Sequence, residues 1–314
     1  MKRTSLENYQ QQKRGGKGIA GLHTSEDDYV QDFLVTSNHQ NICLFTNKGR
    51  MYRLKVHQIP EGSRISKGVH IKNILPLLDD TEWVTNILTL RTFADDKYFL
   101  FVTKKGMIKR SSSSLYENTR SGGVIAVGLN EGDELVSVRL TYDTNHILLV
   151  TSNGMAIRFS CQDVRASGRS AHGVRGIAVK GNDSVVSAVV LREDENNTEF
   201  LTVSSQGFGK RTNIELYRLQ ARGGKGVINF RVTNKTGTVI GACPIRDCDS
   251  LVLMTSTNKI IRIGAQGIRS IGRIAMGVTL VKLDAGAHLV AFDRIKEDEQ
   301  NLTDKEENAP LPLK

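Results

Sequence analysis

Five times along the chain a short apolar run is followed by a polar turn and then by a segment in which apolar and polar positions alternate. The turns are Thr46-Asn47-Lys48-Gly49, Thr103-Lys104-Lys105-Gly106, Thr151-Ser152-Asn153-Gly154, Ser204-Ser205-Gln206-Gly207 and Thr255-Ser256-Thr257-Asn258. Leu148-Leu149-Val150 before a turn and Met155-Ala156-Ile157-Arg158-Phe159 after it show the pattern most clearly. Alternation with period two marks a strand, because successive side chains point to opposite faces, and the whole unit predicts a β-hairpin. The turn requires a residue that tolerates positive φ, so Gly closes four copies and Asn closes the fifth. Four residues beyond each of these stands an arginine, Arg53, Arg110, Arg158, Arg211 or Arg262, and the constant offset puts all five on equivalent strand faces.

Each hairpin is followed by a polar loop containing Gly and Arg that ends in Gly before Ile or Val, at Gly18, Gly68, Gly123, Gly173, Gly226 and Gly277, about fifty residues apart. A strand such as Val136-Ser137-Val138-Arg139-Leu140 comes next, and the cycle restarts. Strand, hairpin, strand and loop at this period describe a blade, so the chain is expected to be all-β, a propeller-like closed ring of six four-stranded blades over residues 1–295. Lys2 to Gly18 matches the part of a repeat that follows the turn, which suggests a piece of a longer protein beginning in mid-hairpin. His288-Leu289-Val290-Ala291-Phe292 resembles the missing first arm, so the last strand is expected to pair beside the first segment and close the ring.

Residues 296–314 break the pattern, with no apolar periodicity and with six acidic residues against three basic ones, and are expected to be a disordered acidic tail. Setting the tail aside raises the formal charge from +10 to +13 on the rest, since the tail contributes three minus six. That excess calls for an acidic partner, a nucleic acid or an anionic surface. The tail reads either as a solvated terminus or as a competitor for the basic surface. No apolar run reaches the roughly 18 residues of a membrane span, and no signal-peptide apolar region opens the chain, which predicts a soluble, cytoplasmic protein without a membrane partner. Cys43, Cys161, Cys243 and Cys248 are too scattered for a disulfide framework or a zinc site, so they are expected to be buried thiols, and no metal is expected.

Gln12-Lys13-Arg14-Gly15-Gly16-Lys17-Gly18 has a near-copy in Gln220-Ala221-Arg222-Gly223-Gly224-Lys225-Gly226, and the match runs back to Lys2-Arg3-Thr4 and Lys210-Arg211-Thr212 without a gap. Paired glycines permit a close backbone approach by a ligand, and the flanking cations suit a polyanion. The first stretch resembles the signature loop of the C-terminal domain of DNA gyrase A, in which Gln, two basic residues, two glycines, a basic residue and Gly follow one another. Lys13 is a charge-preserving variant at the first basic place. The related polypeptide of topoisomerase IV has a similar domain with a degraded first loop, so the intact copy favours gyrase.

The resemblance implies a β-pinwheel, a six-bladed ring with strand exchange between neighbours and a basic rim around which DNA wraps. The wrap fixes a positive crossing, so that strand passage elsewhere in the enzyme yields negative supercoils. It also implies the rest of the gyrase A polypeptide and the gyrase B polypeptide as partners in an A2B2 tetramer, with ATP and Mg2+ used elsewhere, no cofactor in this domain, a monomeric isolated domain, and a place at the nucleoid. Candidate DNA-binding residues are Gln12, Lys13, Arg14, Gly15, Gly16, Lys17, Gly18, Arg64, Lys67, Arg120, Arg169, Arg175, Arg222, Lys225, Arg269 and Arg273. Cations in equivalent loops would form a belt that holds phosphates without reading bases. The five strand arginines divide between hydrogen bonding within the ring and DNA contact, and Gly122, Gly123 and Gly173 read as turn formers.

Enzymatic readings find little support. Gly15 to Gly18 lacks the spacing and the Ser or Thr of a P-loop, no Gly-x-Ser-x-Gly elbow occurs, and Tyr9, Tyr29, Tyr52, Tyr98, Tyr116, Tyr142 and Tyr217 carry no nucleophile pattern. A protein-interaction propeller stays open as the rival to a DNA-binding ring.

Overall fold

The computed structural model describes residues 1–4, 34, 36–63, 66–120, 122–192, 199–257 and 259–296. In chain order the elements are β1 (Asn41–Thr46), β2 (Arg50–Lys55), α1 (Ile71–Ile74), β3 (Val84–Leu90), β4 (Tyr98–Thr103), β5 (Met107–Ser112), β6 (Val124–Ile125), β7 (Leu135–Thr141), β8 (His146–Thr151) and β9 (Met155–Ser160). They continue with β10 (Val174–Arg175), β11 (Val185–Leu191), β12 (Glu199–Ser204), β13 (Phe208–Asn213), β14 (Val227–Ile228), β15 (Val239–Ile245), β16 (Ser250–Thr255), β17 (Ile260–Gly264), β18 (Val278–Thr279) and β19 (Leu289–Ile295).

All five predicted hairpins form, in one common register. The strand arginine always faces the third residue of the first arm, as in Cys43↔Arg53, Leu100↔Arg110, Leu148↔Arg158, Leu201↔Arg211 and Val252↔Arg262. At the turn, Gly106 has φ +84°, and a Cβ there would lie 2.6 Å from the Ile177 carbonyl oxygen. Gly106→Ala is therefore expected to lose roughly 1–3 kcal/mol from backbone strain alone. Chemical denaturation reads this, and a change within experimental error would show that the turn tolerates a side chain. Asn258, the expected closing residue of the fifth turn, lies outside the described residues.

The first four hairpins are extended on both sides and the fifth on one, by its return strand. A return strand pairs with each first arm and, in the first four, a two-residue strand from the following repeat pairs with the second, giving the orders β3-β1-β2-β6, β7-β4-β5-β10, β11-β8-β9-β14, β15-β12-β13-β18 and β19-β16-β17. The strand exchange implied by the resemblance is thus built into four sheets. Against the six blades expected, five sheets occur among the described residues, four of four strands and one of three. The reason is that 5–33, most of the first repeat, falls outside them. What is described of that repeat follows the common scheme. Val69 N donates to Met1 O at 2.9 Å and the Met1 amine donates to Val69 O at 2.7 Å, the same exchange that pairs Ile108 with Val174.

Among the described residues the last strand departs from expectation: β19 pairs with none of residues 1–4 and is the return strand of the fifth sheet, with Leu253 opposite Phe292, while 5–18 of the first segment lie outside the described residues. Leu289 of β19 is buried like Leu135, Val185 and Val239 at the same place in the earlier return strands, which is what fixes the strand there. The tail from 297 onward lies outside the described residues.

The first arms are continuous apolar runs because they are buried on both faces. Phe99 and Phe101 point into a core shared with Cys43, Phe45 and Met51 of the first sheet. Leu100 and Val102 point the other way, to Ile147 and Leu149 of the third. The apolar interior is therefore a series of compartments between neighbouring sheets. Tyr52, Tyr116 and Tyr217 pack into it as expected. Cys43 and Cys161 are buried, and burial pushes the Cys43 thiol up to about 12. Cys248, by contrast, is exposed in the turn beyond β15, and Cys243, inside β15 opposite Leu201, is half-buried against the cluster of Leu201, Ile245 and Leu253. Among the described residues no helix is long and apolar enough to cross a membrane.

Candidate nucleic-acid interface

The loops that carry the candidate cations share one construction. A short 3-10 turn follows each hairpin, its first amides capped by the side chain of Ser112, Ser160 or Asn213 in three repeats. The chain then lies along the strand arginine of the preceding repeat: Gly62 N bonds to Arg3 O, Ser167 N to Arg110 O, Gln220 N to Arg158 O and Ile271 N to Arg211 O. A glycine with positive φ, Gly68, Gly123, Gly173, Gly226 or Gly277, turns it into the exchanged strand. At Gly173 a Cβ would strike the Ile108 carbonyl, so this glycine is demanded by the crossing itself. That agrees with its reading as a turn former.

Four consecutive loops are joined to one another. Gly128 N donates to Ala171 O at 3.0 Å, Gly223 N to Gly176 O at 2.7 Å, Ala178 N to Gly224 O at 2.9 Å, and Arg231 N to Ala275 O at 3.3 Å. Arg120, Arg169, Arg175, Arg222, Lys225, Arg269 and Arg273 all stand on this joined band. Arg222 and Arg273 are half-buried because they fasten it. Arg222 donates through Nε to Asp163 O and through Nη1 to Arg175 O, and Arg273 donates through Nη1 to Ile228 O. The others, with Lys67 of the second repeat's loop, are exposed, and no carboxylate lies within ion-pair distance of them among the described residues. Gln12, Lys13, Arg14, Gly15, Gly16, Lys17, Gly18 and Arg64 lie outside the described residues.

The cations at the hairpin turns are arranged differently. Lys48 pairs with Asp79 at 3.3 Å, Lys104 with Glu134 at 3.1 Å and Lys259 with Asp284 at 2.5 Å. Thr81's hydroxyl and amide, followed by Lys48, hold the Asp79 carboxyl down to about 2. Lys48, Lys104 and Lys259 are thus neutralised in place and Lys105 donates to Glu131 O, whereas the exposed loop cations have no carboxylate beside them among the described residues.

Three of the strand arginines work inside the fold. Arg110 is buried against Asp143 and the Tyr98 ring. Arg158 donates to the carbonyls of Ile214 and Tyr217. Arg211 donates to Ile268 O at 2.7 Å and pairs with Glu199 and Asp247. Arg53 stacks over Phe93, and Arg262 is exposed with a bond to Ser250 Oγ. Sequence reasoning missed two loop cations, Arg165 and Arg218. Both are exposed and stand, like Arg269, four residues before Arg169, Arg222 and Arg273 respectively. The signal was an apolar residue followed by Arg, in Val164-Arg165, Tyr217-Arg218 and Ile268-Arg269.

Small antiparallel sheets that exchange strands with their neighbours and set out exposed cations on joined loops define a propeller-class module with a cationic band. The chain belongs to the DNA gyrase A C-terminal domain family: the family described as DNA gyrase C-terminal domain, beta-propeller, matches residues 1–37, 40–91, 97–141, 145–192, 198–244 and 249–296. Those six stretches are the six repeats read from the sequence. The DNA gyrase A polypeptide of Lawsonia intracellularis is 60% identical over 295 residues, covering 94% of this chain and 36% of the relative. That of Clostridium acetobutylicum is 43% identical over 308 residues, 98% of this chain and 37% of the relative. The chain therefore spans little more than a third of the length of these two relatives. Among solved structures, the C-terminal domain of DNA topoisomerase IV superposes with a TM-score of 0.82 at 25% identity, covering 98% of this chain and 95% of the other. A DNA gyrase A C-terminal domain superposes at 0.73 with 26% identity, covering 94% and 96%.

Proposed function

We propose that this chain binds duplex DNA without sequence preference, bends it along the cationic loops and wraps it in the positive sense, as the wrapping part of a DNA gyrase. The observation that carries this reading is the joined band of loops whose cations have no carboxylate partner among the described residues. Such cations hold phosphates by charge and give register without reading bases. The rest of the gyrase A polypeptide and the gyrase B polypeptide, in an A2B2 tetramer, would supply DNA cleavage and the ATP- and Mg2+-dependent steps. The domain would act at the nucleoid in the cytoplasm, and alone it would be a monomer without a cofactor of its own.

The test is topological. Bound to circular DNA during nicking and closing, the chain is expected to shift the linking number positively. In the whole enzyme, replacing Gln12–Gly18 by alanine is expected to remove negative supercoiling and leave ATP-dependent relaxation. No linking-number shift, or full supercoiling after the replacement, would defeat the wrapping model even if DNA bound. The topoisomerase IV reading is favoured by the higher of the two TM-scores. The intact first signature loop supports gyrase instead, and a whole enzyme that only relaxes or unlinks DNA would reverse that choice. A protein-interaction propeller would leave DNA unbound at all salt concentrations.

A further inference from the structure

The residue just before the strand arginine alternates around the repeats between lysine and an apolar or aromatic side chain: Lys2, Tyr52, Lys109, Ile157, Lys210 and Ile261. Lys109 and Lys210 are buried, at 1% and 0% exposure. Burial of an ammonium is costly unless its protons are accepted. No carboxylate lies within ion-pair distance of either among the described residues, and what accepts instead is the backbone of the cation-bearing loops. Lys109 Nζ donates to Ala126 O at 2.7 Å and to Arg169 O. Lys210 Nζ donates to Gly272 O at 2.7 Å and Arg273 O at 2.5 Å. Lys2 Nζ does the same to Ser63 O and Ser66 O, both at 2.8 Å.

The surroundings make these groups unusual. Lys109 faces the Arg169 guanidinium, the Phe101 ring and the Tyr116 hydroxyl, which donates to the same Ala126 carbonyl. Lys210 faces Arg273 and the Phe230 ring. Burial, and then the neighbouring arginine, pushes each ammonium down to about 7. For stability alone a methionine would serve better here. The folded-state value lies below the ordinary lysine value, so the lysine's contribution is least favourable below pH 7 and improves as pH rises from there. What the lysine adds is a clamp on one carbonyl in particular, that of Arg169 or Arg273, each four residues before the loop's positive-φ glycine.

We infer that Lys109 and Lys210 are positioning residues for phosphate contact, each gripping the backbone of a loop arginine: the grip holds the Arg169 side chain outward on the band and sets the half-buried Arg273 across to Ile228 O, with its remaining N–H groups free for phosphate. This rests on the DNA-binding reading above. At repeats with Tyr52 and Ile157 the loop instead settles on an aromatic or aliphatic side chain, against Gly123 in one and Gly224 and Gly226 in the other.

The experiment is a double-mutant cycle on the full chain with a linear duplex, titrated over a range of salt. Arg169→Ala is expected to make the salt slope shallower by about one contact, which at 0.1 M salt weakens binding about eightfold. Lys109→Met is expected to reproduce most of that loss, and the double variant to bind no more weakly than Arg169→Ala alone. Additive losses, or an unchanged slope in Lys109→Met while the wild type binds normally, would overturn the clamp. If the wild type does not bind DNA, the DNA-binding reading fails, and the clamp is judged by amide exchange at 167–173. Faster exchange in Lys109→Met supports it, and unchanged exchange sinks it. Should Lys109→Met fail to fold, Lys210→Met is read the same way: a shallower salt slope with faster amide exchange at 271–277 supports the clamp, and neither change sinks it.

Discussion

Raising the salt concentration from about 50 to about 200 mM is expected to weaken duplex binding by roughly 10⁵-fold, a log–log slope near −9. The expectation follows from which cations have partners. Lys67, Arg120, Arg165, Arg169, Arg175, Arg218, Lys225 and Arg269 are exposed without a carboxylate among the described residues. Arg222 and Arg273 keep guanidinium N–H groups beyond those spent on carbonyls. About ten phosphates can be neutralised by such a set, and each releases counterions whose return at high salt opposes binding. Lys48, Lys104 and Lys259 would add little, since their carboxylates would have to be displaced first. The slope should be the same for unrelated duplex sequences, because no base edge is being read. Titration by anisotropy measures it. A change of less than tenfold over that range would mean that the band is not the binding surface.

The fold was legible where local chemistry repeats. Turn glycines such as Gly106 and the arginine four residues beyond are dictated by backbone geometry and strand period, so each hairpin could be read from a dozen residues. The identity of the exchanged strands was harder, since Val174-Arg175 and Val227-Ile228 are only two residues long and their partners, Ile108 and Ala156, lie in the preceding repeat. Similarity alone could not tell a return strand from a first hairpin arm at Leu289–Phe292. Both are apolar runs buried against a neighbour, and only the pairing with β16 separates them. At the band, the loop cations were found from their glycines, but Arg165 and Arg218 have no glycine beside them and were missed. The strand arginines could not be assigned from the chain, because the carbonyls they reach and the carboxylates of Asp143 and Asp247 lie about thirty to sixty residues away. The same holds for Lys109 and Lys210. A lysine in an alternating strand reads as solvent-facing until the loop that covers it is in place.

Phe101→Ala is expected to cost about 3–5 kcal/mol of stability, and to do so locally. Phe101 is fully buried between the first and second sheets, with ring centroids 5.8 Å from Phe45, 6.3 Å from Phe99 and 6.0 Å from Tyr116. Removing the ring leaves a cavity that this edge-to-face cluster cannot fill without abandoning its own geometry. Because the interior is divided into compartments, the loss should follow a nearest-neighbour rule rather than spread evenly. Amide exchange is expected to quicken in β1, β4 and β7, which line that compartment, while β12 and β16, whose Leu201, Val203, Leu251 and Leu253 form another, keep their protection. The cation above the ring adds a second consequence, since Lys109 Nζ sits 5.2 Å from the Phe101 centroid. Loss of the ring should loosen the 164–173 loop and leave 217–226 and 268–277 in place, so DNA affinity falls only by the share of that one loop. Equal quickening across all five sheets would show one cooperative core and would remove the basis for treating each repeat's loop as a separately supported contact.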